Sequence, residues 1–289
     1  IMHETLLSCG DVIDDAVAPD NSWDQRNVEI IRRLYLRAKS LPASLVGAMT
    51  TARMICEQQW RQCRAENNWQ DFMPYLTRVF DYTKEAAMIQ GDILGMDPYD
   101  ALIDEYSPGV TSTIVDPLFQ QLRQELPSLI QDIVAKQRQD HVIMPNAHFP
   151  IAQQNQLGLA LMQALGFDFN HGRLDVSHHP FCGGVPDDTR ITTRYDERDF
   201  VQSVMAVVHE TGHARYEQHL PEQWRNQPVG RALGMSIHES QSIMTEMYVC
   251  RSSEFMIFLA PLVQRYFGQH EAYSAENLYK LYTRVKPGY

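Results

Sequence analysis

Apolar residues recur at helical spacing through most of the first half of the chain. One stripe begins at Val28, and others occupy residues 73–89 and 118–134. Apolar positions three and four residues apart share one face of an α-helix, so each stripe predicts a helix that packs against a neighbour. Proline or glycine interrupts the stripes at three places, namely Leu41-Pro42, Gly95–Pro98 and Ser107–Gly109. The pattern therefore predicts a stack of helices, with Pro127 beginning or kinking one of them.

The pattern changes to that of a small sheet between Leu174 and Tyr195. This stretch is rich in Gly, Pro, Asp and Thr, and residues 190–195 have the composition of a strand. Asp199 then precedes a new apolar stripe, with Gln202 at capping-box spacing, which predicts the start of a helix. We expect a small sheet or hairpin that lies directly before this helix.

A long helix is predicted near the end of the chain. Ser236 and Glu239 have the S-x-x-E spacing of a helix start, and apolar residues follow from Ile237 to Phe267. The fold class that these patterns predict is mainly α, with one small β-sheet next to the helix that follows Asp199.

Composition and charge fit a globular protein and limit the classes of partner. The 289 residues are 44% hydrophobic and 21% charged, which suits one large domain or two of ordinary size. The formal net charge of −11 makes the average surface repel phosphate backbones and anionic lipid headgroups. The basic residues are scattered and form no arginine-rich arm. Neither nucleic acid nor a membrane is therefore expected as a partner.

The cysteine pattern predicts reduced thiols and not a disulfide framework. The five cysteines are odd in number and widely spaced, without a C-x-x-C pair. The sequence has no recognisable secretory leader and no apolar stretch as long as a membrane helix. These features favour a cytoplasmic protein, and a leader removed before Ile1 stays open because Met2 is not the first residue.

The segment HETGH at residues 209–213 carries the strongest chemical signal. His209 and His213 are four residues apart on a predicted helix, so their rings project from one face and can bind one metal ion. Glu210 lies about 100° around the helix from His209, where its carboxylate can take a proton from a metal-bound water. The alternative is an amphipathic helix with exposed histidines, but the apolar residues 206–208 favour a partly buried one. The motif predicts a metalloprotease-type zinc protein.

A catalytic zinc site needs a third protein ligand, and Glu239 is the candidate. It lies on the next predicted helix, after a connection with proline and glycine that can fold back towards His213. Its competing role is a capping box with Ser236, which spacing alone leaves about equally favoured. Glu239 and Glu246 belong to a polar stripe on an otherwise apolar helix, which a buried cation would explain. Glu246 could orient a ligand histidine, or the stripe could face solvent.

Three motifs in one order resemble a single family of peptidases. The first comprises DVSHHPF and DDTRITTRY at residues 175–181 and 187–195, the second is HETGH at 209–213, and the third is HESQS at 238–242. Together they resemble the thermostable carboxypeptidase family typified by carboxypeptidase Taq. The segment PYDALIDEYSPGVT at residues 98–111 is similar to the helical N-terminal half of that family. The resemblance covers most of the chain.

The resemblance implies a mainly helical, gluzincin-like zinc metallocarboxypeptidase that removes single C-terminal residues with broad specificity. It implies zinc as the ion, with cobalt as a possible substitute, and commonly a homodimer that acts on peptides. It makes His209, His213 and Glu239 the metal ligands and Glu210 the general base. The HPF and TTRY elements would lie beside the substrate groove, and their candidate substrate-binding residues are His179, Arg190, Arg194 and Tyr195.

The residues of the implied groove also have a physical interpretation. An exposed strand edge at residues 190–195 could bind an extended peptide through main-chain hydrogen bonds. Arg190 and Arg194 could each meet a carboxylate with two hydrogen bonds, and surface ion pairs are the alternative. His178 and His179 could equally be ordinary polar residues of a loop.

The chain is shorter than members of the family that it resembles. Later family motifs, including an arginine that the resemblance associates with the substrate carboxylate, are absent before Tyr289. We therefore expect one mainly helical peptidase domain over residues 1–289 that is incomplete at its C-terminus. Its parts would be a helical one at 1–170 and a metal-site one at 171–289. Two alternatives stay open: an oligopeptidase or endopeptidase with the same zinc chemistry, and a truncated metal-binding homologue without activity.

Overall fold

The computed structural model describes residues 22–177 and 179–288, in which ten α-helices and one three-stranded sheet account for most of the chain. The mainly helical class with a small sheet is confirmed. The chain divides into two compact units. One extends to Pro117 and also includes Asn226–Val229, and the other comprises Leu118–Arg225 and Gly230–Tyr289.

Four helices form most of the described part of the first unit. They are α1 (Ser22–Ser40), α2 (Ala43–Ala65), α3 (Trp69–Leu94) and α4 (Pro98–Tyr106). Side chains cap two of them, because Asn68 accepts the first-turn N–H of Asp71 in α3 and Asp97 accepts the N–H of Tyr99 in α4. Gly95 ends α3 with a φ of 66°, a left-handed conformation that glycine adopts without strain. The three breaks predicted from proline and glycine therefore coincide with helix ends.

A buried ion pair joins α1 to α4 within this unit. The carboxylate of Asp104 lies 2.6 Å from Nη2 of Arg37 and 3.0 Å from Nη2 of Arg33. Burial alone would raise the pKa of Asp104, but the N–H of Gly109 and the two guanidinium groups lower it. The charged form of Asp104 therefore stabilises the packing of α4 against α1.

The remaining helices follow in the rest of the chain. The helices are α5 (Ser112–Gln137), α6 (Ile151–Ala164), α7 (Phe200–Gln218), α8 (Met235–Ile243), α9 (Ser253–Phe267) and α10 (Ala275–Tyr282). Pro127 lies inside α5 and does not begin a helix.

The single long helix predicted from Ile237 to Phe267 is wrong. The helix α8 continues into a π-helical segment at Met244–Val249, and a turn then separates this segment from α9. The break has a local cause, since the hydroxyl of Ser252 accepts the N–H of Phe255 and caps a new helix. Apolar periodicity could not reveal this cap, because the stripe continues on both sides of it.

The small sheet is mixed, and its third strand is central. The strands are β1 (Gly172–Val176), β2 (Phe181–Val185) and β3 (Asp188–Thr193), in the order β1-β3-β2. The strand β3 pairs with β1 in parallel and with β2 antiparallel. The exposed edge expected at residues 190–195 is therefore wrong for the part within β3, whose main chain is paired on both sides. Among the described residues, β1 and β2 are the edge strands, and β2 and β3 pack against α7.

Two core clusters of the second unit meet at α7. Phe200, Val204 and Val208 join one cluster, which includes residues of α6, α9 and α10. Val207 and Ala214 join the other, which includes residues of α6 and β3. The helix α7 is thus buried along most of its length, which is more than the partly buried helix that the sequence predicts.

The described residues also bear on the thiols and on membrane insertion. Four cysteines are free thiols: Cys56, Cys63, Cys182 and Cys250. Cys9 lies outside the described residues. In residues 22–177 and 179–288, no helix combines the length and the apolar character needed to cross a membrane.

Candidate metal centre

The helix α7 carries the HETGH segment into the core of the second unit. Asp199 is its N-cap and accepts the N–H of Val201 at 2.9 Å, so the predicted helix start is confirmed. The side chain of His213 is 10% exposed and that of His209 is 24% exposed. The alternative of an amphipathic helix with exposed histidines is therefore wrong.

The imidazoles of His209 and His213 lie beside each other, with ring centroids 5.0 Å apart. The carboxylate of Glu239, on α8, faces both rings. Its Oε1 is 3.5 Å from Nε2 of His209, and its Oε2 is 3.2 Å from Nε2 of His213. One possible ligand atom from each of the three residues lies within 4.8 Å of the other two. The structure thus brings together the three residues that the sequence proposes as ligands.

The start of α8 removes the competing role of Glu239. Gly234 is the N-cap of this helix and Met235 is its first residue, without a side-chain capping bond. Ser236 is therefore the second residue of the helix and not its cap, so a capping box with Glu239 does not form. The side chain of Glu239 is 43% exposed, which leaves the three-residue cluster open towards solvent on this side.

Glu246 forms a hydrogen bond with the ring of His209. It lies in the π-helical segment after α8, and its Oε2 is 2.9 Å from Nδ1 of His209. Its Oε1 accepts a hydrogen bond from Nη2 of Arg251, whose Nη1 donates to the carbonyl of Tyr282 at 2.8 Å. The side chain of Glu246 is 16% exposed, so the alternative of a solvent-facing stripe is wrong at this position.

The cluster shifts the pKa values of its members in different directions. The hydrogen bond to the carboxylate of Glu246 raises the pKa of His209, and the same bond lowers the pKa of Glu246. Burial lowers the pKa of His213 to about 4, and the nearby His238 and His209 act in the same direction. Although His213 lies 3.2 Å from the Glu239 carboxylate, its burial outweighs that attraction. Burial also raises the pKa of Glu210, with the charge of Glu239 adding to the effect.

These residues fit a divalent ion of the zinc type. Two imidazole nitrogens and a carboxylate oxygen are a common protein donor set of catalytic zinc sites. His213 is neutral near pH 7, so one of its nitrogens offers a lone pair. The Nδ1 of His209 is hydrogen-bonded to Glu246, so Nε2 is the nitrogen left for an ion. Both Nε2 atoms face Glu239.

Two residues of the centre were missed by sequence reasoning. The Nδ1 of His238 lies 2.6 Å from Nδ1 of His213, and its Nε2 lies 2.8 Å from Oε1 of Glu217. A signal was present in the sequence. Glu217 follows His213 by one helical turn, and His238 directly precedes Glu239 in the HESQS motif.

Two of the expected substrate-binding residues lie beside one cavity. Arg194 and Tyr195 line an open cavity of about 490 Å³ in the second unit. The hydroxyl of Tyr195 accepts a hydrogen bond from Nδ2 of Asn155 at 3.1 Å, and burial raises the pKa of Tyr195. The lining residues of this cavity do not include the histidines of the metal cluster.

The other expected substrate-binding residues lie elsewhere. The guanidinium of Arg190 is already paired with Asp188, with Nη2 and Oδ2 2.8 Å apart. The side chain of His179 is exposed, and its carbonyl accepts a hydrogen bond from Oγ1 of Thr192. His178, considered with it from the sequence, lies outside the described residues.

The chain matches known proteins along nearly its whole length. A family model described as Carboxypeptidase Taq (M32) metallopeptidase matches residues 3–289. Thermostable carboxypeptidase 1 of Thermus thermophilus is 35% identical over 269 residues, which cover 90% of this chain and 53% of that protein. Carboxypeptidase 1 of Bacillus subtilis is 32% identical over 232 residues, which cover 80% of this chain and 46% of that protein.

A solved structure agrees with these sequence matches. Metallocarboxypeptidase 1 of Trypanosoma cruzi superposes with a TM-score of 0.89 at 36% identity, and the match covers 99% of this chain and 59% of that one. The chain spans about half the length of the curated relatives that it matches.

Proposed function

The chain belongs to the carboxypeptidase Taq (M32) metallopeptidase family, and on this premise we propose that it carries the catalytic centre of a zinc metallocarboxypeptidase. The proposed reaction is hydrolysis of the C-terminal peptide bond of peptides, with broad specificity for the residue removed. One observation carries the proposal: possible ligand atoms of His209, His213 and Glu239 lie within 4.8 Å of one another, and the charges of His209 and Glu239 act on the buried Glu210.

The three converging side chains would hold the ion. A divalent ion in this position polarises the carbonyl of the scissile peptide bond and makes water a better nucleophile. His209 and His213 would bind such an ion as uncharged imidazoles and Glu239 would contribute one negative charge, which would leave a net positive charge at the site. The exposed side of Glu239 leaves room for a substrate to approach.

Glu210 would move the proton. It follows His209 on α7 and is 7% exposed, so few water molecules compete for its carboxylate. Burial raises its pKa, which brings the carboxylate closer to the range in which a group can both take and return a proton. In the proposed reaction, Glu210 accepts a proton from the attacking water and passes it to the leaving amine.

The substrate would lie along the small sheet beside α7. Because β3 is paired on both sides, the edge strand β2 takes over the role of binding an extended peptide main chain. Burial raises the pKa of Cys182 in β2 to about 12, and the charges of Glu210 and Glu217 act in the same direction. This effect supports the closeness of β2 to the centre.

The expected substrate-binding residues differ in their support. Arg194 and Tyr195 line a cavity that a peptide side chain or terminus can enter. Arg190 would have to exchange its partner Asp188 for a substrate carboxylate. His179 is exposed and accessible to a substrate. We propose all four as substrate-binding residues, with Arg194 and Tyr195 foremost.

A peptide-library digestion tests the proposal. The purified chain is incubated with free-acid peptides and with the same peptides amidated at the C-terminus, each with and without a chelator, and the products are identified by mass spectrometry. Stepwise loss of residues from free-acid peptides that stops with chelator supports the carboxypeptidase. Internal cleavage of both series indicates an oligopeptidase or endopeptidase. Zinc binding without any hydrolysis indicates a metal-binding homologue without activity.

The proposal also covers the identity of the ion, the oligomeric state and the cellular location. Zinc is proposed as the resident ion, with cobalt able to replace it, because the donor set suits both. A homodimer and a cytoplasmic location are proposed from the family resemblance and from the free thiols. Metal analysis of the purified chain, sedimentation equilibrium and cell fractionation test the three statements separately.

A further inference from the structure

His238 is hydrogen-bonded to His213, and Glu217 is hydrogen-bonded to His238. The Nδ1 atoms of His213 and His238 are 2.6 Å apart, and Nε2 of His238 is 2.8 Å from Oε1 of Glu217. Glu217 lies on α7 and His238 on α8. The contacts therefore join the two helices that supply the proposed metal ligands.

The positions of the protons follow from these distances. Two Nδ1 atoms at 2.6 Å must share one proton, because two lone pairs at that distance would repel each other. The carboxylate of Glu217 is an acceptor, so Nε2 of His238 is the donor towards it, and with a single proton on the ring the Nδ1 of His238 is an acceptor. The shared proton then belongs to Nδ1 of His213. As a result, Nε2 of His213 carries a lone pair, and this is the nitrogen that faces Glu239.

We propose that Glu217 and His238 are positioning residues that hold His213 in the tautomer and ring orientation needed to bind the ion through Nε2. The proposal rests on the metal centre proposed above and adds two residues to it. Neither residue supplies an atom to the cluster of three converging ligand atoms. Both act through His213.

Packing and burial favour a fixed arrangement of the pair. The ring of Tyr216 meets the ring of His238 edge to face, with centroids 5.3 Å apart. The side chain of His238 is 13% exposed and that of Glu217 is 24% exposed. A hydrogen bond to a charged group that is shielded from water in this way is stronger than one at the surface. The ring of His213 therefore cannot rotate without breaking its hydrogen bond to His238.

His209 and His213 have different hydrogen-bond partners at Nδ1. The Nδ1 of His209 meets a carboxylate directly, that of Glu246, at 2.9 Å. His213 lies one turn further along α7, and its Nδ1 meets His238 instead of a carboxylate. His238 thus links the carboxylate of Glu217 to His213 through two hydrogen bonds. Each proposed ligand histidine has a negative charge at the end of its hydrogen-bond chain.

Four variants of the full chain test the proposal. His238→Leu removes the acceptor for His213, whereas His238→Asn keeps an oxygen near the position of Nδ1. Glu217→Leu removes the terminal carboxylate. Glu222→Leu is the matched control, since Glu222 is an exposed glutamate a few residues beyond the end of α7. Circular dichroism and urea unfolding establish that each variant is folded.

Two measurements distinguish positioning from a purely structural role. The first is the tautomer of His213, read from long-range ¹H–¹⁵N spectra of the imidazole rings in the metal-free and zinc-loaded chain. The second is the Kd for zinc from competition with a chromophoric chelator. We expect the Nδ1–H tautomer of His213 in the wild type. We expect Kd to rise about 10- to 100-fold in His238→Leu and Glu217→Leu, to be largely restored in His238→Asn, and to be unchanged in Glu222→Leu.

The contrary outcomes are separable. An Nε2–H tautomer of His213 in the metal-free wild type would overturn the proposal. Equal values of Kd for the wild type, His238→Leu and Glu217→Leu would overturn the positioning role while leaving the metal centre intact. Failure of the wild type to bind zinc would overturn the proposed metal centre, and the positioning role with it.

Discussion

Gly212 and Ser242 are in direct contact where α7 meets α8. A Cβ atom built on Gly212 would lie 2.6 Å from Cα of Ser242 and 2.8 Å from the carbonyl oxygen of Gln241. Both partner atoms belong to the backbone, so they cannot move aside as a flexible side chain can. The absence of a side chain at residue 212 therefore allows α8 to approach α7 and to bring Glu239 opposite the histidines.

Replacing Gly212 by alanine should destabilise the chain and weaken the metal centre. Alanine is favoured over glycine inside a helix by about 1 kcal/mol. Here the added methyl group overlaps backbone atoms, and overpacking of this kind costs about 1–3 kcal/mol. Urea unfolding should give a lower free energy of unfolding for Gly212→Ala, and zinc titration should give a higher Kd.

Gly158→Ala is the matched control for that substitution. Gly158 lies in α6, where a Cβ would make ordinary contacts of 3.5 Å or more with Val207 and Leu174. We expect this variant to be as stable as the wild type or more so. Equal stability of Gly212→Ala and Gly158→Ala would show that the close contact between α7 and α8 is unimportant.

Replacing Glu210 by glutamine should abolish turnover without loss of the ion. Glutamine has nearly the same size but cannot accept the proton of the attacking water. Loss of a general base reduces kcat by about 10²- to 10⁴-fold. The measurements are kcat on a free-acid peptide and zinc content of the purified variant. Full activity of Glu210→Gln would contradict the role of this residue.

Replacing Glu246 by glutamine should weaken zinc binding. The carboxylate holds Nδ1 of His209 and so fixes which nitrogen faces the ion. Loss of such a partner raises Kd for the metal by about 10- to 100-fold. The exposed Glu271 provides the control, because Glu271→Gln removes the same charge far from α7 in sequence. Equal Kd values for the two variants would exclude a positioning role for Glu246.

Stability at acidic pH should depend on Asp104. Its pKa is lowered in the folded chain, so its contribution is present above the unfolded pKa and is lost as the pH falls through the folded value. Breaking a buried ion pair costs about 3 kcal/mol. We expect Asp104→Asn to lower the free energy of unfolding at pH 7 by roughly this amount, and the difference from wild type to shrink as the pH falls below about 4, the ordinary pKa of an aspartate. The exposed Asp81 serves as control, since Asp81→Asn should have little effect at either pH.

Removing the ion should lower the thermal stability of the wild type. An ion that binds only the folded chain stabilises it by about 2.7 kcal/mol at a free concentration of 100 times Kd. Addition of a chelator should therefore lower Tm, and excess zinc should restore it. His209→Ala removes a proposed ligand, so its Tm should respond little to zinc or to chelator. A zinc-dependent Tm of equal size in both proteins would show that the ion binds elsewhere.

The sequence predicts the parts of the centre that depend on local spacing. The four-residue interval between His209 and His213 fixes their common face on any helix. Asp199 marks the start of that helix because an N-cap carboxylate contacts only N–H groups of the turn that follows it in the sequence. Spacing alone does not identify Glu239 as a ligand, because its spacing with Ser236 favours a capping box equally. The start of α8 at Met235 excludes the capping box, and Glu239 lies beside both rings.

The remaining features depend on contacts between distant segments. The strand composition of residues 190–195 is evident from the sequence, but the central place of β3 depends on its pairing with β1 and β2. The π-helical segment interrupts a continuous apolar stripe without a glycine or proline to mark it. The contact of His238 with His213 depends on the packing of α8 on α7. Residue spacing alone cannot specify such relationships.

Arg251 gives the metal centre a connection to the last helix of the chain. It donates to the carbonyl of Tyr282, at the end of α10, and to Glu246, which holds His209. If ordering α10 helps to fix Arg251, it also helps to fix the ring that receives the ion. Coupling of this kind is reciprocal, so ion binding would in turn suppress fraying of α10. The affinity of the centre for its ion then depends on α10 as well, although this helix supplies none of the three ligand atoms.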